Sequence, residues 1–190
     1  MTERRQAPRG EQALAARFRT GDRAAFDEIV RLHRQMIYRV VYRLLGNHHD
    51  ADEAAQQAFI RAWKSRHGFR GDSALRTWLT RIALNAAKSL HSGRRPMEEL
   101  MENHRESPAE PVDETIRRQQ LRARVQRLVG ELPPRQREVV ALKVLSEMTY
   151  KEVADVMGLS EGTIKAHLHQ AVANLRRAMV PARESQGVHS

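Results

Sequence analysis

The chain is 190 residues long, carries 33 Lys or Arg against 23 Asp or Glu for a net charge of +10, and contains no Cys. That length fits one medium domain or two small ones, and the lack of Cys excludes disulfides and thiolate metal sites. No apolar run reaches the ~18 residues of a membrane span and the N-terminus MTERRQAPRG is polar, so neither membrane insertion nor a secretory leader is expected, and a cytoplasmic location is.

The positive charge is unevenly placed. Residues 1–95 hold 19 Lys or Arg against 9 acids, whereas residues 96–190 hold 14 of each. From Arg61 to Arg95 there are nine basic residues and one acid, Asp72. Such density attracts phosphates, because each contact releases counterions from nucleic acid.

Apolar residues recur at three- and four-residue steps and alternating runs are missing, which predicts an all-α chain. A first helix is expected from Asp22 to Gly46, with Phe26, Ile29, Val30, Ile37, Val40, Val41 and Leu44 on its buried stripe. Asp50 and Glu53, three apart, suggest a capping box at the start of a second helix, which buries Ala51, Ala54, Ala55, Ala58, Phe59, Ala62 and Trp63. After a loop at 67–72, a third helix turns Leu75, Trp78, Leu79, Ile82, Ala83, Ala86 and Leu90 inward. Its outer face is expected to carry Arg76, Thr77, Thr80, Arg81 and Lys88, with Asn85 on the flank.

Residues 96–116 change character: seven acids, one Arg and three prolines predict a flexible acidic linker. Further helices are expected over 116–132, 135–145, 150–157 and 160–179, with a break at Pro133-Pro134. The last two, meeting at Gly158-Leu159, form a helix-turn-helix pattern in which Val153, Ala154 and Met157 pack on Ile164, Leu168, Val172 and Leu175. A major groove about 12 Å wide admits one helix, so Thr163, Lys165, Ala166, His167, His169 and Gln170 are the candidate base readers. Arg176 and Arg177 lie further along and suit phosphates.

ELPPRQREVVAL followed by TYKEVADVMGLSEGTIK is similar to the C-terminal promoter-binding domain of sigma-70 family factors of the extracytoplasmic-function (ECF) group. The stretch from GDRAAFDEIV to LNAAKSL resembles the other sigma domain along nearly its whole length. The resemblance implies two small helical domains: a sigma-2-like domain at 14–95 and a sigma-4-like helix-turn-helix domain at 117–180. It also implies no catalytic residue, metal or cofactor.

In that family the helix matching Asp50–Trp63 binds the clamp helices of the largest subunit of core RNA polymerase. Asp52, Glu53, Gln56, Gln57 and Arg61 are thereby candidate polymerase contacts, although many members have an acid where Gln57 stands. The following segment resembles the part that opens and reads the −10 element. Phe69, in the 68–73 loop, is a candidate to hold a flipped base, with Arg76, Thr77, Arg81, Asn85 and Lys88 along the strand's path. The chemistry is reasonable, since an aromatic platform returns about 1–3 kcal/mol of stacking to an unpaired base. The −35 readers carry over similarly, but His167 and Gln170 stand where the family often has Arg, so an altered sequence preference is expected. Implied partners are core polymerase, including the subunit that binds the C-terminal domain, promoter DNA and an anti-sigma factor.

Two other readings differ in kind. SEGTIKAH also resembles the LuxR-type helix-turn-helix, but the first 95 residues show no alternating strands for a receiver domain. A sigma mimic that titrates an anti-sigma factor would not need the basic run from Arg61 to Arg95. An enzyme would have to rest on His48-His49 or on His167 with His169, and neither pair has helical metal-site spacing.

Overall fold

The computed structural model describes residues 9–93 and 112–179, and among them only helices and connecting turns occur. The N-terminal half is built from α1 (Arg9–Arg19), α2 (Arg23–Leu45), α3 (His48–Lys64) and α4 (Leu75–Gly93), with a 3₁₀ turn at Arg66–Gly68. The C-terminal half holds α5 (Val112–Gly130), α6 (Pro134–Val139) running into a π-helical turn at Val140–Val144, α7 (Tyr150–Met157) and α8 (Glu161–Met179). Helix α5 starts four residues before the expected Ile116, and linker residues 96–111 lie outside the described residues.

The α2 ends follow from their residues. Asp22 accepts from the Ala25 backbone N–H at 3.2 Å, and this bond, aided by Arg17, holds its carboxyl below the usual range. Gly46 closes the helix at φ 80°, a conformation that favours glycine. The start of α3 differs from expectation. Its cap is Asn47, whose side chain accepts from the Asp50 N–H at 2.7 Å, so Asp50 is the third residue of the helix and not its cap. Asn competes as well as Asp for a cap position, and Asp50 returns a contact to Asn47 Nδ2 at 3.0 Å.

Helix α1 is not among the sequence-expected elements, yet it completes the first core. Leu14, Ala15 and Phe18 are buried with Ile29, Ile37, Val41, Leu75 and Leu79, and with the Ala face of α3. Phe18 stacks on Phe26 at 5.8 Å and meets Trp78 edge-on at 6.1 Å. Glu11 on α1 accepts from the Leu75 backbone N–H at 3.0 Å, capping α4 from another helix.

The second core joins Val129, Leu132, Val140 and Ala171, with Leu168 and Leu175 packed on it. Ala171 is buried and Val172 exposed, so the α8 stripe runs through 164, 168, 171 and 175 rather than through Val172. A π turn absorbs an extra residue per turn, and here the Leu145 N–H reaches the Val140 carbonyl at 3.1 Å.

The two halves also pack on each other. Val40 of α2 and Leu84 of α4 share one buried cluster with Val139, Leu142, Met148, Val153 and Ile164. Leu84 is buried there, and Thr77 and Thr80 are buried as well, Thr80 donating to the Arg76 carbonyl at 2.8 Å beside Met36 of α2, which corrects the expectation that Thr77 and Thr80 lie on an open outer face. Helix α4 thus packs its main apolar stripe into the first core and Leu84 into the shared cluster.

Removing the fully buried Phe18 side chain empties a site that several aromatic rings share. Phe18→Ala is expected to lower stability in chemical denaturation by about 3–5 kcal/mol, against roughly 0.5 kcal/mol or less for Leu32→Ala at 58% exposure. Equal losses in the two variants would contradict the place of α1 in the core.

Candidate nucleic-acid and polymerase interface

The helix-turn-helix is built by two caps and a glycine. Thr149 accepts from the Glu152 N–H at 3.2 Å while Glu152 accepts from the Thr149 N–H at 2.8 Å, a complete capping box at the start of α7. Gly158 ends α7 at φ 67° with its N–H on the Ala154 carbonyl. Ser160 then caps α8 by accepting from the Thr163 N–H at 3.1 Å. Ile164 is buried against α7 in the same cluster as Val153, and this sets the angle at which α8 projects.

Along α8 the predicted readers divide. Lys165, Ala166, His169 and Gln170 are exposed, with Arg176 and Arg177 beyond them, while Thr163 and His167 are half-buried. Gln170 Oε1 accepts from Gln136 Nε2 at 3.5 Å, and Gln136 in turn accepts from Asn174 at 2.8 Å. Lys165 Nζ lies 5.4 Å from the centre of the Tyr150 ring, which steadies the cation at the entrance of the helix.

On α3 the predicted polymerase contacts form one side of the helix. Asp52, Gln56 and the neighbouring Ile60 are exposed, and Glu53, Gln57 and Arg61 are half-buried. Arg61 Nη1 donates to Ser89 Oγ of α4 at 3.4 Å. Beside this face, ligand atoms of His49, Asp50 and Glu53 lie within 4.8 Å of one another. Asp50 is already engaged there by Asn47 Nδ2 at 3.0 Å and faces His49 at 3.6 Å, so the group serves the first turn of α3.

The −10 candidates are not all at the surface. Phe69 is only 4% exposed and packs on Trp78 at 5.3 Å, so its ring is a wall of the core and the exposed part of the 68–73 loop is Gly68, Arg70, Gly71, Asp72. Asn85 is exposed. Arg76, Arg81 and Lys88 project from α4 at steps of five and seven residues, and all three meet groups of the C-terminal half. Arg76 Nη2 donates to Glu152 Oε1 at 2.5 Å, Arg81 donates to the Asp155 backbone carbonyl, and Lys88 Nζ reaches Glu138 Oε1 at 3.1 Å. Glu138 is also held by Arg135 at 3.3 Å. Burial opposes ionisation of Glu152, but the Thr149 hydrogen bonds and the Arg76 charge outweigh it and hold the carboxyl below its usual range.

Sequence reasoning missed Glu138, Glu152 and Leu84 as partners of this face. The available signal was Leu84 itself, an apolar residue on the side otherwise assigned to basic groups. The acids gave none, since their role depends on how the halves meet.

Thr149→Ala removes the α7 cap and is expected to lower stability by about 1 kcal/mol in thermal denaturation. Because the folded-state pKa of Glu152 is lowered, its stabilisation is present above the ordinary Glu value and is lost as pH falls through the lowered one. Denaturation midpoints from about pH 7 to pH 3 are expected to fall less steeply for Glu152→Gln than for the unaltered chain; identical slopes would contradict this.

Residues 29–96 match the family model described as Sigma-70 region 2, and residues 122–175 match Sigma-70, region 4. The RNA polymerase sigma-H factor of Pseudomonas aeruginosa is 31% identical over 182 residues, covering 90% of this chain and 94% of that protein. The ECF RNA polymerase sigma-E factor of Escherichia coli K12 is 31% identical over 172 residues, covering 85% and 90%. Among solved structures, CnrH in complex with the cytosolic domain of CnrY superposes with a TM-score of 0.68 at 28% identity, over 88% of this chain and 96% of that one. Two sigma regions in order, and relatives 31% identical over most of both chains, place this chain in the ECF group of the sigma-70 family of RNA polymerase sigma factors.

Proposed function

We propose a division of labour within a sigma factor that directs transcription initiation: residues 14–95 dock on core polymerase and open the −10 element, and residues 117–180 hold the −35 duplex. The observation that carries this reading is the pairing of two different cationic surfaces, the α4 row of Arg76, Arg81 and Lys88 and the exposed α8 face led by Lys165, on separate helical units. The α4 row, with Asn85, would track a displaced strand's phosphates. The α8 face would enter the major groove through Lys165, Ala166, His169 and Gln170, with Arg176 and Arg177 on the backbone.

Phe69 enters this reading differently from the other −10 candidates. Its ring backs the 68–73 loop from inside, so a flipped base would be held by the loop over a Phe69 and Trp78 floor. On α3, Asp52, Glu53, Gln56, Gln57 and Arg61, flanking exposed Ile60, form a surface of mixed charge and apolar character suited to another protein, here the polymerase clamp helices. The chain supplies binding and strand separation, and polymerase supplies the phosphoryl-transfer chemistry. No helix among the described residues is long and apolar enough to cross a membrane, and action on polymerase would take place in the cytoplasm. A protein regulator of the anti-sigma kind is the further partner this reading includes; the similar CnrH is likewise held in complex with another protein, the cytosolic domain of CnrY.

The purified chain mixed with sigma-free core polymerase is expected to yield promoter-dependent run-off transcripts; no association and no transcript would end the reading. In duplex binding, Lys165→Ala is expected to weaken affinity on all sequences by roughly threefold to tenfold, while Gln170→Ala changes preference among −35 sequences by about 1–3 kcal/mol. Unchanged affinity and preference in both variants would remove α8 as the reader.

A further inference from the structure

Among the described residues of the C-terminal half, the buried polar side chains are Gln136 and Glu138. Glu138 is met by cations, Arg135 and Lys88. Gln136 is 9% exposed, and both ends of its amide go to α8. Asn174 Nδ2 donates to Gln136 Oε1 at 2.8 Å, and Gln136 Nε2 donates to Gln170 Oε1 at 3.5 Å. At the far end, Arg177 Nη2 donates to Asn174 Oδ1. Residues 170, 174 and 177 follow at helical steps of four and three, so their side chains share one face of α8, and Gln136 of α6 joins Asn174 to Gln170.

The direction of this line is fixed from one end. A guanidinium can only donate, so Asn174 offers Arg177 its carbonyl oxygen and turns its amide nitrogen to Gln136. Gln136 then receives on its oxygen and donates through its nitrogen, and Gln170 receives in turn. An amide reversed within the line would set donor against donor or acceptor against acceptor, at a buried residue where an unmade hydrogen bond is costly.

We infer that Gln136, itself buried, is a positioning residue for base choice: it holds the Gln170 carbonyl toward α6 and so presents the Gln170 amide N–H groups to the major groove. A glutamine free to turn reads adenine with both ends of its amide, donating to N7 and accepting from N6. With its oxygen engaged, Gln170 leads with donors. The matching base edge is guanine, whose O6 and N7 both accept. This deepens the proposed −35 role of α8 and rests on it.

Binding of the full-length chain to −35 duplexes that differ at single base pairs tests the two separately. The pair read by Gln170 is the one at which Gln170→Ala levels the preference. There the unaltered chain is expected to favour guanine over adenine by roughly tenfold. In Gln136→Glu the new carboxylate accepts from both Asn174 and Gln170, which turns the Gln170 amide round, and the preference is expected to shift to adenine. Gln136→Leu, similar in size but without a polar end, is expected to bring the two bases within about threefold of each other at unchanged helical content. A merely structural bridge between α6 and α8 would cost stability in the Leu variant without moving the choice of base. A guanine preference unchanged in both Gln136 variants, or an adenine preference in the unaltered chain, overturns the inference and leaves Gln170 a reader. If Gln170→Ala alters the preference at no pair, Gln170 is not a reader, and its proposed −35 role and the inference fall together.

Discussion

Helix α4 must satisfy two neighbours at once. One stripe, Leu75, Leu79, Ala83 and Ala86, closes the first core, and a second, Leu84 with Thr77 and Thr80 beside it, is buried on the other side. Its basic residues flank that second face, Arg76 on one side and Arg81 with Lys88 on the other. There the positive charge of the N-terminal half is most useful, and there the C-terminal half presents its acids. The packing of both halves meets on this one helix.

The pairs across this seam are about two-fifths exposed on their cationic side, while their carboxylates are 26% and 9% exposed. The shared apolar cluster contributes more, but it is small beside the aromatic core around Phe18, Phe26, Trp63 and Trp78. Interfaces between domains of one chain generally permit relative motion unless they are large and apolar. The helices themselves are secured locally by the caps at Asp22, Asn47, Thr149 and Ser160.

Much of this was legible in the sequence because it follows local rules. The α2 span was marked by Asp22 and Gly46, and the helix-turn-helix by Gly158 and the flanking apolar steps; the resemblance to ECF sigma factors rested on residues that match regions 2 and 4. Errors arose where two signals of equal strength competed or where tertiary contacts decided. Asn47 won over Asp50 as a cap because both suit the position and only the backbone path distinguishes them. Helix α1 escaped notice because its stripe of Leu14, Ala15 and Phe18 is short and basic residues surround it. Phe69 looked like an exposed stacking platform because a glycine-flanked loop in a basic run suggests one; Trp78 buries it. The pairing of Arg76 and Lys88 with acids, and of Arg81 with a backbone carbonyl, 50 to 76 positions away was beyond any local pattern.

The proposed role of Arg76, Arg81 and Lys88 on α4 is to separate the promoter strands. Permanganate footprinting of unpaired thymines tests it directly, with core polymerase carrying either the unaltered chain or the Arg76→Ala/Arg81→Ala/Lys88→Ala variant. The account predicts reactive thymines around −10 with the unaltered chain and their loss with the variant, while protection of the upstream duplex persists. Full thymine reactivity with all three cations removed would contradict it.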